Sequence, residues 1–312
     1  MFSSRLRAAL LTLALFCVVC LPAAAQFEVP HCWDMSAEIP YAESPKEPLV
    51  LQVITPNGQN LNPIFKPGDT GKGRGIIDVI SGGWNGSKAR QDEHRATGMY
   101  DILAARGYTV FCIRPGSLPN FTGLEMVDNL QRGLRWVKEH AKEYKVDPER
   151  LGMIGASAGG HLNLLSMTRP GAGDPKAADP LLRHDTRVKA VVALFPPADF
   201  LNWGGGPAPI DKSAELLFSG GVKDKTREQI DAALKDLSPA LHVTAGEPPV
   251  LLIHGDADPV VPLQQSQSME KALKDKGNDV TLIVNKGGGH LWLTIGEELM
   301  AATDWFDRQL AK

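Results

Sequence analysis

The sequence lacks the residue patterns of several functional classes. No group of histidines and carboxylates has the spacing of metal ligands, such as H-E-x-x-H, so we expect neither a metal nor another cofactor. No run of basic residues is present, and the net charge of the 312 residues is −3. This mild acidity gives no electrostatic reason to expect a nucleic-acid partner or binding to a membrane surface.

Cysteine is also scarce, with four in the whole chain. Two of them precede residue 26, and one of these, Cys20, would be the modified residue if the chain were a lipoprotein. Cys32 and Cys112 remain beyond that point. Export would permit a disulfide between them, whereas the apolar run Thr109–Ile113 equally suits a buried free thiol at Cys112. The spacing leaves both alternatives open.

The first 25 residues contain an apolar run, Ala8–Leu21, that is shorter than the roughly 20 residues needed to span a membrane. Arg5 and Arg7 precede this run and Ala23–Ala25 follow it, which is the pattern of a cleaved signal peptide. We therefore predict a signal peptide at 1–25 and a secreted or periplasmic protein without a membrane span after cleavage. A membrane anchor is the alternative. Loss of Arg5 and Arg7 would lower the net charge from −3 to −5.

Short apolar segments alternate with helical ones through the rest of the chain, 26–312. Strands are predicted near residues 49–54, 76–80, 109–113, 151–154, 188–194, 249–253 and 280–284, and helices near 90–106, 124–144, 263–276 and 295–310. This alternation indicates the α/β class, with a mostly parallel central sheet and helices on both faces. Residues 26–48 are proline-rich and predicted to be irregular. Residues 199–247 interrupt the alternation and are predicted to form a small cap or lid insertion.

The most informative motif is Gly155-Ala-Ser-Ala-Gly159, which follows an apolar strand and precedes an apolar helical segment. A serine between two glycines at a strand-to-helix turn is typical of a nucleophile elbow. Such a turn leaves almost no room for side chains two residues before and after the serine. The pattern predicts that Ser157 is a nucleophile.

A serine nucleophile needs a base, and the base needs a carboxylate that orients it. When the chain order is serine, acid, histidine, only His290 of the eight histidines follows the late acidic candidates. It lies in a glycine-rich loop after the strand at 280–284. Asp256 and Asp258 follow the strand at 249–253. One would bind the imidazole and the other would accept backbone N–H bonds, and this pattern does not separate them.

An oxyanion hole requires backbone N–H donors aimed at the tetrahedral intermediate. Ala158, directly after the serine, would supply one. The loop 81–86 follows a strand and contains Gly82 and Gly83, which allow close approach to a substrate. A plain turn is the alternative for this loop.

Three tryptophans are candidates for an aromatic wall that binds substrate. They are Trp84, Trp203 and Trp292. Each could equally be a core or cap residue.

Taken together, these motifs resemble the α/β-hydrolase superfamily, from about residue 49 to the C-terminus. The chain is most similar to the branch of bacterial acetyl- and feruloyl-type esterases and prolyl oligopeptidase-like catalytic domains. The resemblance implies that Asp258, the second acid of the His-Gly-x-x-Asp pattern, is the triad acid. Such esterases commonly have His-Gly-Gly-Gly-Trp at the oxyanion loop. Aligned on Trp84, the histidine falls on Ile80 and the first glycine on Ser81, which leaves the loop geometry open.

The leading hypothesis is a secreted serine carboxylesterase that uses Ser157, Asp258 and His290 and acts on a small-molecule or carbohydrate ester. Acetyl or feruloyl esters are suggested by analogy alone. A serine peptidase is the nearest alternative, although the large N-terminal propeller usual for prolyl oligopeptidase-like enzymes does not precede the first predicted strand. A catalytically inactive binding protein is the third. Acyl specificity and oligomeric state do not follow from the sequence.

Overall fold

A computed structural model of the chain describes residues 31–59, 68–209 and 214–311. The predicted signal peptide at 1–25 lies outside these residues. Within them, nine strands form one sheet in the order β1-β3-β5-β4-β6-β7-β8-β9, with β2 paired to β3. The strands are β1 Trp33–Met35, β2 Ile39–Ala42, β3 Leu49–Pro56, β4 Gly75–Val79, β5 Thr109–Ile113, β6 Leu151–Ala156, β7 Ala190–Leu194, β8 Val250–Gly255 and β9 Val280–Asn285.

The sheet is parallel from β5 to β9. Strands β4, β5, β7 and β8 are buried along their whole length, as expected for parallel strands covered on both faces. The helices are α1 Lys88–Ala96, α2 Met99–Ala105, α3 Gly123–His140, α4 Ala158–Thr168, α5 Ala214–Leu217, α6 Arg227–Asp236, α7 Gln264–Asp275 and α8 Ile295–Gln309. The prediction of an α/β fold with a mostly parallel sheet is confirmed.

The helices form two layers. The core on one face includes side chains of α3, α4 and α7, and the core on the other face includes those of α2 and α8. The single helix predicted at 90–106 is two helices, because Gly98 adopts a left-handed conformation (φ 77°) between them. No helix in the described part of the chain is long and apolar enough to cross a membrane.

The prediction of irregular structure at 26–48 is wrong for two segments. Strands β1 and β2 pair antiparallel with different parts of β3. These short strands exist because the outer edge of β3 offers backbone partners, and no alternation of apolar residues marks them beforehand.

The segment 199–247 contains α5, α6 and a 3₁₀ turn at Pro239–Leu241. Buried side chains such as Phe200, Leu216 and Leu237 pack into the core on the face of α3 and α4. Its assignment as a cap stays a prediction.

Candidate active site

Ser157 lies at the turn between β6 and α4, with φ 52° and ψ −120°. This strained conformation, rare for a residue other than glycine, is the kind found at functional sites. A Cβ on Gly155 would lie 2.5 Å from the backbone of Gly159, and one on Gly159 would collide with the carbonyl oxygen of Val79. Only glycine fits at both positions, so the chain makes the sharp turn that the motif predicts.

Three side chains from different loops meet at this turn. His290 Nε2 lies 2.9 Å from Ser157 Oγ, and His290 Nδ1 lies 2.8 Å from Asp258 Oδ2. The serine follows β6, the aspartate follows β8 and the histidine follows β9. Because parallel strands end at the same edge of the sheet, residues 133 positions apart come within hydrogen-bond distance.

Asp258 is a fully buried carboxylate with several donors around it. Burial opposes its ionisation, but hydrogen bonds to the charged form outweigh burial and hold the pKa of Asp258 well below its usual range. The donors are His290 and the backbone N–H groups of Val260 and Val261 at 2.7 and 2.9 Å from Oδ1. His254 is also close, with Nε2 3.4 Å from Oδ2, and this Nε2 contacts the carbonyl of Val261 at 2.9 Å. The carboxylate is therefore ionised and fixed beside the imidazole, where it favours the tautomer with Nδ1–H.

Asp256 contacts the backbone of the histidine loop instead of the imidazole. Its Oδ1 accepts a 2.6 Å hydrogen bond from the backbone N–H of Gly287 in the histidine loop. The backbone N–H of Ala257 donates to the carbonyl of Gly288, so the acid loop and the histidine loop are joined at two points. Asp256 thus positions the loop that carries His290, and Asp258 contacts the imidazole itself.

The structure corrects one predicted oxyanion donor. The backbone N–H of Gly82 donates to the carbonyl of Asn85, and the N–H of Asn85 donates back to the carbonyl of Gly82. These bonds close a tight turn in which Gly83 and Trp84 both have φ 57°. Gly82 is therefore occupied within its own loop. Gly83 lines the cavity at Ser157, and the N–H of Ala158 is at the first position of α4, where a helix offers no internal acceptor.

Trp84 ties this loop to its surroundings. Its indole Nε1–H donates a 3.1 Å hydrogen bond to Nδ1 of His161, and Nε2 of His161 donates to the carbonyl of Leu237 at 2.7 Å. His161 is fully buried on α4. Burial lowers its pKa to about 4, against the opposing effect of the bond to Leu237. The ring is therefore neutral at pH 7 and accepts from the indole.

A cavity of about 280 Å³ opens at Ser157 and His290. None of the three tryptophans lines it in the described part of the chain, and the aromatic wall stays a prediction. Trp84 and Trp203 pack against Phe200, and Trp292 Nε1 donates to Glu298. No residue described within 199–247 lines the cavity either.

Phe195 is a site residue that the sequence pattern did not reveal. It directly follows β7, has a positive φ of 39°, and lines the cavity with its ring centroid 4.7 Å from that of His290. The sequence signal for it was its position at the carboxyl end of a central strand.

The two cysteines Cys32 and Cys112 are free thiols, so they do not form a disulfide in this structure. In the described residues, no three His, Cys, Asp or Glu side chains group as metal ligands do.

Comparison with protein families places the chain in a known group. The sequence profile of the BD-FAE family matches residues 64–273, more than half of the chain. The chain belongs to the BD-FAE family. The matched residues include Ser157 and Asp258 and end before His290. In the structure, His290 lies 2.9 Å from Ser157 Oγ. The resemblance to an esterase branch of the α/β-hydrolase superfamily is confirmed.

Similar proteins agree with the BD-FAE assignment. A probable carboxylic ester hydrolase, LipM of Mycobacterium tuberculosis, is 30% identical over 205 residues, which are 66% of this chain and 46% of LipM. An uncharacterized peptidase, YuxL of Bacillus subtilis, is 25% identical over 228 residues, 68% of this chain and 31% of YuxL. The chain spans about half the length of the first curated relatives that it matches.

Among solved structures, a truncated carbohydrate esterase from gut microbiota is similar to this chain. The TM-score is 0.72 at 25% identity, and the match covers 90% of this chain and 98% of the other. The whole described fold therefore has a counterpart among esterases.

Proposed function

We propose that this protein is an exported serine esterase that cleaves carboxylic esters through an acyl-enzyme intermediate. The single observation that carries the proposal is the unbroken path from Ser157 Oγ through the His290 imidazole to the Asp258 carboxylate, at 2.9 and 2.8 Å. A hydroxyl within 2.6–3.2 Å of a base, with the base oriented by a carboxylate, is the arrangement that activates serine. The BD-FAE relationship supports esters as the substrate class.

In the proposed mechanism, Nε2 of His290 removes the proton from Ser157 Oγ as the oxygen attacks the ester carbonyl. The negative charge on the carbonyl oxygen is stabilised by the backbone N–H groups of Gly83 and Ala158. The imidazolium is stabilised by Asp258 and then gives its proton to the departing alcohol. Water repeats the sequence on the acyl-enzyme, and Ser157 recovers its proton.

The proposal is tested on the full chain produced in a bacterial host. A fluorophosphonate probe should label the protein at Ser157, and short 4-nitrophenyl esters should be hydrolysed. Ser157→Ala should remove both signals, whereas the matched control Ser87→Ala, outside the cavity, should keep them. Labelling that survives Ser157→Ala would contradict the mechanism.

The mass of the exported protein tests the signal peptide, because cleavage after residue 25 predicts a mature chain that begins at Gln26.

A peptidase activity is measured in the same preparation with a prolyl-peptide amide. We expect the ester to be turned over faster than the amide. The reverse order would assign the site to peptides, in line with the relative YuxL, an uncharacterized peptidase. Carbohydrate acetyl or feruloyl esters are the next substrates to compare, because the structural neighbour is a carbohydrate esterase.

A further inference from the structure

A second aspartate–histidine pair lines the same cavity as Ser157 and has no part in the mechanism above. Asp78 lies on β4 and His94 on α1. His94 Nδ1 is 2.9 Å from Asp78 Oδ1 and 3.1 Å from Oδ2. The hydroxyl of Tyr100 donates to Oδ2 at 2.8 Å. The Asp78 side chain is 0% exposed, and a buried carboxylate is costly to keep unless it is paired in this way.

One nitrogen of this pair is free to contact a ligand. With Nδ1 turned to Asp78, the other ring nitrogen of His94, Nε2, has no protein partner among the described residues. The side chain is 14% exposed, and the residue lines the cavity. Burial lowers the pKa of His94, but the charge and hydrogen bond of Asp78 outweigh it, with Glu93 adding to them, so the pKa is raised. Asp78 thus favours the protonated ring of His94, in which Nε2 carries a second N–H donor.

Other polar groups line the cavity around the pair. Arg90 also lines the cavity and gives one N–H to Glu93 at 2.6 Å, which leaves its other guanidinium donors unpaired among the described residues. The hydroxyl of Ser81, a further lining residue, is buried and has no hydrogen-bond partner within the described structure. The remaining wall is mainly apolar, from residues such as Met99, Ile154 and Leu299.

The pair and Ser157 lie at different places along two neighbouring strands. Asp78 pairs with Ile154 across β4 and β6, and Ser157 follows Ile154 by three residues, just beyond the end of β6. The end of the cavity at His290 is beside Leu291 and Leu293, which are 65% and 106% exposed. The apolar lining residues Met99, Ile154 and Leu299 are buried and offer a wall for an acyl chain, whereas Arg90 and Glu93 reach solvent.

We propose that Asp78 and His94 form an acyl-recognition subsite for esters whose acyl group carries an oxygen acceptor remote from the reacting carbonyl. This inference rests on the proposed esterase function. His94 Nε2–H donates to that oxygen, and the apolar wall contacts the chain between the acceptor and the carbonyl. A terminal carboxylate oxygen and a neutral ester oxygen can both accept this hydrogen bond.

The test compares 4-methylumbelliferyl esters of three kinds at pH 6. Adipate and suberate half-acids carry a terminal carboxylate, their methyl esters carry a neutral acceptor, and hexanoate and octanoate carry none. We expect kcat/KM to be roughly tenfold or more higher for an acceptor-bearing ester than for the alkyl ester of equal length. His94→Phe should remove that preference and retain hydrolysis of the alkyl ester. A preference for the acid over the methyl ester identifies a charged acceptor, and equal rates identify a neutral one.

A matched control is available at His31, whose Nδ1 lies 2.9 Å from Asp101 Oδ1 outside the cavity. His31→Phe should leave the preference unchanged. If His94→Phe does not fold, His94→Gln serves instead, and it should lower the ratio of acceptor-bearing to alkyl ester because its amide is uncharged. An unchanged ratio in the folded variant, or no preference in the wild type, overturns the subsite alone. Failure to hydrolyse any ester defeats the proposed function, and the subsite with it.

Discussion

The indole of Trp84 and the imidazole of His161 are joined by a 3.1 Å hydrogen bond that fixes the loop 81–86 against α4, the helix that follows Ser157. Esterases that resemble this chain commonly have a histidine where Ile80 stands. Here Trp84, in a left-handed conformation, makes a polar link from the loop, and its partner lies four residues after Ser157. The geometry of the loop and the position of the nucleophile are therefore coupled through one buried pair.

Trp84→Phe should weaken this coupling. The substitution keeps an aromatic ring but leaves Nδ1 of His161 without its donor in a buried site. We expect the free energy of unfolding in urea to fall by about 1–3 kcal/mol and kcat to fall more than KM changes. Trp203→Phe is the control, since its indole packs on Phe200 and makes no side-chain hydrogen bond in the described structure. Equal effects of the two substitutions would count against the coupling.

The two aspartates of the acid loop should differ in their contribution to the reaction. Asp258→Asn removes the charge that holds the imidazole, so kcat should fall by about 10³–10⁴-fold, the scale seen when triads lose this carboxylate. Asp256→Asn weakens only the contact with the Gly287 N–H, so we expect less than about a tenfold loss of kcat and about 1 kcal/mol of stability. Steady-state kinetics on a 4-nitrophenyl ester measures both. A larger loss at Asp256 would reverse the two assignments.

Stability should fall on mild acidification because of His161. Its pKa is about 4 in the folded protein and about 6.5 in an unfolded chain, so protonation favours unfolding. The stabilisation that depends on neutral His161 is fully present above pH 6.5 and declines as the pH falls towards 4. Below pH 4 the free energy of unfolding is lower by about 3 kcal/mol. Urea unfolding of wild type and His161→Gln between pH 7 and 4.5 measures the difference. Parallel pH profiles for the two proteins would refute the prediction.

Two glycine substitutions should separate the cost of a steric clash from the cost of a left-handed backbone conformation. Gly155→Ala would place a methyl group 2.5 Å from the backbone of Gly159, so the variant should lose several kcal/mol or fail to fold. Gly83→Ala has open space around the added methyl group and costs only the left-handed conformation at φ 57°, about 1 kcal/mol. It should fold and keep fluorophosphonate labelling. Soluble yield, urea unfolding and labelling test the pair, and a stable Gly155→Ala would contradict the packing argument.

The features predicted from the sequence are those with short-range or ordered patterns. Buried strands such as β4 and β8 are continuous apolar runs, and the elbow at Ser157 is a five-residue pattern, so both are visible locally. The contact between Ser157 and His290 followed from chain order and from the rule that parallel strands end at one edge.

The features missed depend on partners far away in the chain. Strands β1 and β2 exist because β3 offers an open edge. Gly82 is occupied because Asn85 turns back to it, and the Asp78–His94 pair requires α1 to pack beside β4. None of these contacts has a signature within a few residues, so propensity and spacing could not reveal them.

The close packing of Gly155 and Gly159 also constrains how this protein can diverge. No side chain fits at either position, and the turn that holds Ser157 cannot be shifted by substitutions there. Residues on α1 and Leu291, by contrast, present side chains to the cavity without supporting the turn. Substitutions on that wall of the cavity can therefore reshape it without moving the turn at Ser157, and directed evolution for new esters should begin there.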